Sequence, residues 1–148
     1  MNMHIHELQQ VEQIGSGPYD ALYASSPENI LWGETPSRLV SQYLRLSSRG
    51  SKALDVGCGD GVNALALEEN EFDVVGVEIS SIALAGLRNR FRRKKRVPAG
   101  RYLNESVVGF LSRTSEPRFD LIVSCGVFHC LSPRHRVRQH RELFDRFL

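Results

Sequence analysis

No apolar run in this 148-residue chain approaches the length of a membrane span, and the first residues, MNMHIHELQQ, hold no signal-peptide segment. A membrane-spanning role is thereby excluded, and a cytoplasmic location is the expectation. Only three cysteines occur, Cys58, Cys125 and Cys130, without regular spacing, which fits reduced thiols and not a disulfide framework. Cys125, His129 and Cys130 lie within six residues, but no second pair such as C-x-x-C accompanies them to complete a zinc site. No internal repeat is visible, and the only biased segment is one basic run. What remains, 41% hydrophobic and 24% charged residues, is globular in composition and large enough for one domain with a core.

The net charge of +2 conceals a segregation: residues 1–80 carry four Lys/Arg against twelve Asp/Glu, and residues 81–148 carry the other fifteen against five. Much of the excess sits in residues 88–96, RNRFRRKKR, and in residues 134–146. Such runs are either nucleic-acid footprints or solvated helix ends, where cations suit the negative end of the dipole. Within residues 88–96 Phe91 is the only interleaved aromatic, and the solvated end is the preferred reading.

The organising stretch is residues 52–80, KALDVGCGDGVNALALEENEFDVVGVEIS. A short apolar strand from Ala53 to Val56 meets three glycines at alternate positions, Gly57, Gly59 and Gly61, then passes into an Ala- and Leu-rich helix stopping near Asn70. Glycines there permit a sharp turn and close backbone approach to a ligand. A second buried strand, Asp73 to Val77, ends at Glu78, 17 residues after Gly61. In parallel sheets ligands gather at the carboxyl ends of strands, where Glu78 is placed to accept hydrogen bonds from both hydroxyls of a ribose. The dinucleotide fingerprint G-x-G-x-x-G needs glycine at 62, and Val62 stands there, which argues against a nicotinamide dehydrogenase.

The pattern D-V-G-C-G-D-G, with Asp55 two residues before the first glycine, resembles motif I of the class I S-adenosylmethionine-dependent methyltransferases, and Glu78 resembles their ribose-binding acid. The resemblance implies a Rossmann-like α/β fold with strands ordered 3-2-1-4 and helices on both faces. The usual strands 5-7-6 cannot be found, so the expectation is a short form of the fold: an entry or lid segment over residues 1–34 and a truncated cofactor-binding domain over 35–148.

Elements outside that stretch follow in order. Residues 19–24 can form a turn or two of helix before Ser25, Ser26 and Pro27. Thr35 followed by Pro36 predicts a helix N-cap and N1, with Leu39, Val40, Tyr43, Leu44 and Leu46 as the apolar face. The segment YDALYASSPENILWGETPSRLV resembles the entry segment of small-molecule methyltransferases, where it roofs the cofactor and would make Tyr19, Tyr23 and Trp32 lid residues. Alternatively, Trp32 is a core anchor and the tyrosines are surface aromatics. Ser80 can cap a helix whose apolar face is Ile82, Leu84, Ala85 and Leu87, and Arg101 to Leu103 reads as a third strand. At its end the family presents an acid or amide to adenine; Glu105 aligns best, and Ser106 either joins it or caps the next turn. Residues 119–124, FDLIVS, form a fourth strand, and FDLIVSCGVFHCL resembles the family's motif IV with the V-x-H-x-L that follows.

By this resemblance Asp55 serves the loop and the methionine amino end. Gly57, Cys58, Gly59, Asp60 and Gly61 form the loop beside the cofactor, Glu78 and Ile79 take the ribose, Glu105 and Ser106 the adenine, and Cys125 and Gly126 the floor. His129 is the candidate general base, or a loop support. The (D/N)-P-P-(Y/F) tetrapeptide of enzymes that methylate amino groups of bases or glutamine is lacking, which favours a small-molecule acceptor methylated by in-line displacement. The alternative is a non-catalytic module of the same fold that binds nucleic acid or a protein partner, or an inactive fragment of a longer methyltransferase. Ser132 and Pro133 start a last helix with Val137, His140, Phe144 and Leu148 on one stripe, and a homodimer through that helix and the open edge of the fourth strand is the expected assembly.

Overall fold

The computed structural model describes residues 16–47, 51–115, 118–127, 137–138, 141–143 and 145. Four parallel strands, β1 (Lys52–Val56), β2 (Asp73–Glu78), β3 (Arg101–Asn104) and β4 (Leu121–Ser124), form a sheet in the order β3-β2-β1-β4. Helix α1 (Gly17–Ala24), a 3-10 turn (Pro27–Asn29) and α2 (Arg38–Leu46) precede the sheet; α3 (Val62–Glu69), α4 (Ser81–Arg93) and α5 (Val107–Arg113) connect its strands. Right-handed crossovers decide where the helices go. The chain steps outward in one direction from β1 to β3, so α3 and α4 share a face, and it steps back past β1 to reach β4, so α5 covers the other.

Both faces are closed by apolar side chains. Ala53, Val74 and Val123 pack with Val40 of α2, Leu65 and Leu67 of α3, and Leu84, Leu87 and Phe91 of α4. On the opposite face Leu54, Val56, Val75 and Val77 meet Phe110 and Leu111 of α5, with Phe119 and Leu143. A strand covered on both faces cannot alternate apolar with polar, which is why β1 and β2 read as near-continuous apolar runs. Glu68 fastens the chain ahead of β3: buried, its carboxylate accepts from the amides of Ala99 (2.9 Å) and Gly100 (2.8 Å) and from the Tyr102 hydroxyl (2.6 Å).

Several expectations need correction. Helix α2 is capped by Ser37, not Thr35: the Ser37 hydroxyl accepts from the Val40 amide (3.3 Å), while its own amide donates to Asn63 Oδ1 (2.8 Å). A serine one residue past the proline supplies the oxygen that reaches the orphan amide of the first turn, so Pro36 stays outside the helix. The predicted apolar face of α2 is only partly covered, since Val40 is buried and Leu46 is 89% exposed. On α4 the buried stripe is Ala83, Leu84, Leu87, Arg90 and Phe91, rotated from the face predicted through Ile82 and Ala85. Strand β4 begins at Leu121, and Phe119 is a core side chain with the Lys52 ammonium over its ring. Of the last helical stripe, Val137 is exposed, and His140, Phe144 and Leu148 lie outside the described residues.

Candidate functional site

The carboxyl ends of β1, β2 and β4 meet beneath the glycine loop, at the point where the strand order reverses. That is the ligand-binding crevice of an open α/β sheet. The loop is held by β2: the amides of Gly57 (2.7 Å) and Cys58 (3.1 Å) both donate to the Val77 carbonyl, and the Gly61 amide donates to the Cys58 carbonyl (3.0 Å). Gly61 has φ +79°, and a Cβ there would stand 2.6 Å from Leu87 Cγ, so glycine is required by both conformation and packing against α4.

Glu78, 7% exposed, ends β2 with one carboxylate oxygen on the Gly59 amide (2.9 Å) and the other on the Ser80 amide (2.8 Å). Burial raises its pKa, and backbone donors at Ser80, Gly59 and Ile79 partly oppose that shift. An ionised carboxylate offers about four lone-pair sites, so capacity remains beyond what its backbone donors use. Asp55 is also buried, and among the described residues neither its Oδ2 nor the Ser124 hydroxyl on β4 has a hydrogen-bond partner. Burial, with a smaller contribution from the charge on Glu78, pushes the Asp55 pKa up to about 7. Buried polar atoms are seldom left unpaired, and Asp55 lies at the crevice end of β1, on the sheet face opposite to Ser124, which pairs in register with Val56. A cationic or donor-bearing ligand group would fit there. Cys58, buried on the same side, has its thiol pKa pushed well up by desolvation and is not poised as a nucleophile.

The segment over the loop is bonded into place. Asp60, 0% exposed, accepts from the amides of Leu31 (2.6 Å) and Trp32 (2.9 Å) through Oδ2 and from Arg90 Nη2 (2.9 Å) through Oδ1. Arg90, 1% exposed, also donates from Nε to the Asp60 carbonyl (2.9 Å) and from Nη1 to the Gly33 carbonyl (2.6 Å). Arg93 adds half-exposed ion pairs to Glu28 (2.5 Å) and Glu34 (3.1 Å). At the start of α4 the Ser80 hydroxyl donates to Asp20 of α1 (2.5 Å), which holds the Asp20 carboxyl below its ordinary range, and accepts from the Ala83 amide as N-cap. Tyr23 is buried and Trp32 is 59% exposed, the reverse of the core-anchor alternative. Trp32 Nε1 donates to the Tyr23 hydroxyl (2.9 Å), which stands 2.6 Å from where a Gly59 Cβ would be. Desolvation raises the Tyr23 pKa, so the hydroxyl keeps its proton.

The sequence reading named the loop, Glu78, Tyr23 and Trp32, and the structure brings these together. It commits Asp60 differently: both oxygens are used by Leu31, Trp32 and Arg90. The Glu105 carboxylate is taken by the Arg113 guanidinium, with Nε at 2.8 Å, and Ser106 is the N-cap of α5 through the Gly109 amide (3.0 Å). Ile79 offers its carbonyl to Asn104 Nδ2 (2.9 Å), which ties β3 to the end of β2. Tyr19 is half-buried in α1. Cys125 is exposed with its sulfur 3.4 Å from the Ser37 hydroxyl, and Gly126 follows in a left-handed conformation. His129 and Cys130 lie outside the described residues. Arg90 and Asp20 were missed. Arg90 was legible in principle, since it lies three residues after Leu87 and seven after Ala83, on the stripe that α4 buries. The basic run around it concealed that, and the solvated-end reading fails at this residue.

A family model described as a methyltransferase domain matches residues 54–146. No curated protein matches the sequence significantly. Among solved structures, one from a study of the conversion of a disulfide bond into a thioacetal group during echinomycin biosynthesis is 22% identical. It superposes with a TM-score of 0.67 over 88% of this chain and 56% of that one. Magnesium protoporphyrin IX methyltransferase from Synechocystis, solved with bound S-adenosylmethionine, is 14% identical, with a TM-score of 0.61 over 74% of this chain and 53% of that one. A TehB-like S-adenosylmethionine-dependent methyltransferase from Corynebacterium glutamicum is 25% identical, with a TM-score of 0.52 over 93% of this chain and 63% of that one. The chain therefore spans between half and two thirds of the length of these three structures.

Proposed function

The chain belongs to the methyltransferase domain family, and from that premise we propose that it binds S-adenosylmethionine at the carboxyl ends of β1, β2 and β4 and transfers the methyl group to a small-molecule acceptor. The observation that carries this reading is the pair of buried carboxylates at the crevice. Glu78 keeps lone pairs beyond those its backbone donors use, and Asp55 Oδ2 has no partner among the described residues.

The cofactor would supply a methyl group already made electrophilic by its sulfonium, so the protein's part is binding, alignment and exclusion of water. Glu78 would accept from two ribose hydroxyls while its backbone donors hold it in place. Asp55 would pair with the ammonium of the amino-acid end; a positive charge beside it favours the ionised form and lowers its pKa. Trp32, fastened to the glycine loop through Asp60, and Tyr23, whose hydroxyl accepts from the Trp32 indole, would roof the site and keep water out. The sequence lacks the (D/N)-P-P-(Y/F) tetrapeptide of enzymes that methylate amino groups of bases or glutamine, which supports a small acceptor.

Calorimetric titration with S-adenosylmethionine, S-adenosylhomocysteine and NAD tests the reading on wild type, Glu78→Ala and Glu78→Gln. Two hydrogen bonds to a charged acceptor are worth roughly 1.5–3 kcal/mol each, so Glu78→Ala should weaken the sulfur cofactors on the order of a hundredfold or more. Glu78→Gln, which keeps one acceptor oxygen, should fall between. Wild type that binds neither sulfur cofactor, or a Glu78→Ala variant that binds them equally well, would overturn it.

A further inference from the structure

The basic run divides in the folded chain. Arg90 and Arg93 are spent on the segment over the glycine loop, but Arg88, Arg92, Lys94, Lys95 and Arg96 are exposed. Among the described residues their side chains form no hydrogen bond or ion pair. Two features show that this concentration of charge is carried against local preference. Arg88 and Arg92 are four residues apart on one helix face, a like-charge spacing that weakens a helix. Lys95 lies at φ +55° in the turn that ends α4, a left-handed position where glycine is the low-cost occupant. The negative end of the helix dipole accounts for a cation or two in the last turn. It does not account for five within nine residues, nor for a lysine in a left-handed conformation.

A partner for such a surface would be a polyanion. An anionic membrane fits poorly, because Leu84, Leu87 and Phe91, the apolar face that α4 would need for insertion, are buried against the sheet. Among the described residues, Val97 is the only large apolar side chain exposed beside the cations. Three of the five cations are arginines, whose planar fork matches phosphate oxygens. Among the described residues no exposed aromatic accompanies them on which bases could stack.

We propose that the C-terminal end of α4 and the turn after it dock the phosphodiester backbone of a nucleic acid without reading its sequence. The surface lies about 18 Å along α4 from Ser81, which marks the crevice end of the sheet, at 1.5 Å per helical residue. Docking there holds the protein on a polyanion without placing a base at the candidate site, and it does not depend on methyl transfer.

The test is fluorescence anisotropy of the whole chain with a labelled 20-base-pair DNA duplex at 50–200 mM salt, alongside sedimentation with phosphatidylserine and with neutral vesicles. Neutralising up to five phosphates predicts a slope of log Kobs against log salt of about −3 to −4.5, a loss of roughly a hundredfold across that range. Lys95→Gly should lower the slope by about one while raising the melting temperature, because it removes a charge and relieves the left-handed lysine. Triple replacement of Arg92, Lys94 and Arg96 by alanine should lower the slope by about three, and Arg45→Ala, on α2, should not change it. Absence of duplex binding at 50 mM salt, slopes unmoved by these variants, or binding to phosphatidylserine vesicles alone would each overturn the proposal.

Discussion

Replacing Arg90 by methionine isolates the contact that holds residues 31–33 over the glycine loop. Methionine approximates the aliphatic stem, so what is lost is the guanidinium and its three hydrogen bonds, to Asp60 Oδ1, the Asp60 carbonyl and the Gly33 carbonyl. The Asp60 carboxylate is then left inaccessible to water with only two backbone amides as donors. Removing one member of a buried ion pair costs about 3–5 kcal/mol, mainly through the stranded charge. The Arg93 pairs with Glu28 and Glu34 are near half exposed and, at about 0–1 kcal/mol each, do not offset that. Against a typical total stability of about 5–15 kcal/mol, the loss is large. With a urea m-value near 2 kcal/mol/M, the unfolding midpoint should fall by about 2 M. Combining Arg90→Met with Asp60→Asn removes the stranded charge, so the double variant should be no less stable than Arg90→Met alone. Hydrogen exchange adds a local readout, because the Leu31 and Trp32 amides bound to Asp60 should lose protection before the sheet does. A midpoint shift below about 0.5 M, or single-variant losses that simply add in the double variant, would refute the reasoning and return Arg90 to the solvated set.

Asp55 makes a pH prediction. Its folded-state pKa of about 7 exceeds the ordinary 3.8, so between those values the native protein holds a proton that the unfolded chain has released. Stability from this group is therefore complete below about pH 4 and is lost as pH rises to 7. Asp55→Asn should flatten that slope and stabilise the protein at pH 8 by up to a few kcal/mol; urea melts at pH 5 and pH 8 decide it, and parallel profiles for the two proteins would count against an uncompensated carboxylate. Gly61→Ala should cost about 2–5 kcal/mol, combining the left-handed backbone with overpacking against Leu87. A thermal-melt loss under about 1 kcal/mol would mean that the loop yields and the glycine is not required.

The alternation of strand and helix from residue 52 to 124 was legible because burial on both faces forces continuous apolar runs, and because Ser80, Asn70 and Ser106 punctuate the helices as their side chains dictate. Positions where two neighbouring residues offer the same chemistry were less legible. Thr35 and Ser37 both carry a capping oxygen, and only the geometry of the first turn chooses Ser37. The apolar face of α4 was misplaced because an arginine occupies one of its core positions.

Strand order came from the resemblance of residues 55–61 to a known loop, while capping and burial patterns placed the single elements. Local rules of this kind need only neighbours in the chain. What tertiary structure alone decided is how charge and hydroxyl groups far apart in sequence satisfy one another. Asp60 goes to Arg90 and the Leu31 and Trp32 amides, Asp20 to Ser80, and Glu105 to Arg113, while Asp55 Oδ2 has no partner among the described residues. Partner choice among polar groups depends on distance and desolvation in three dimensions, and one-dimensional spacing contains neither.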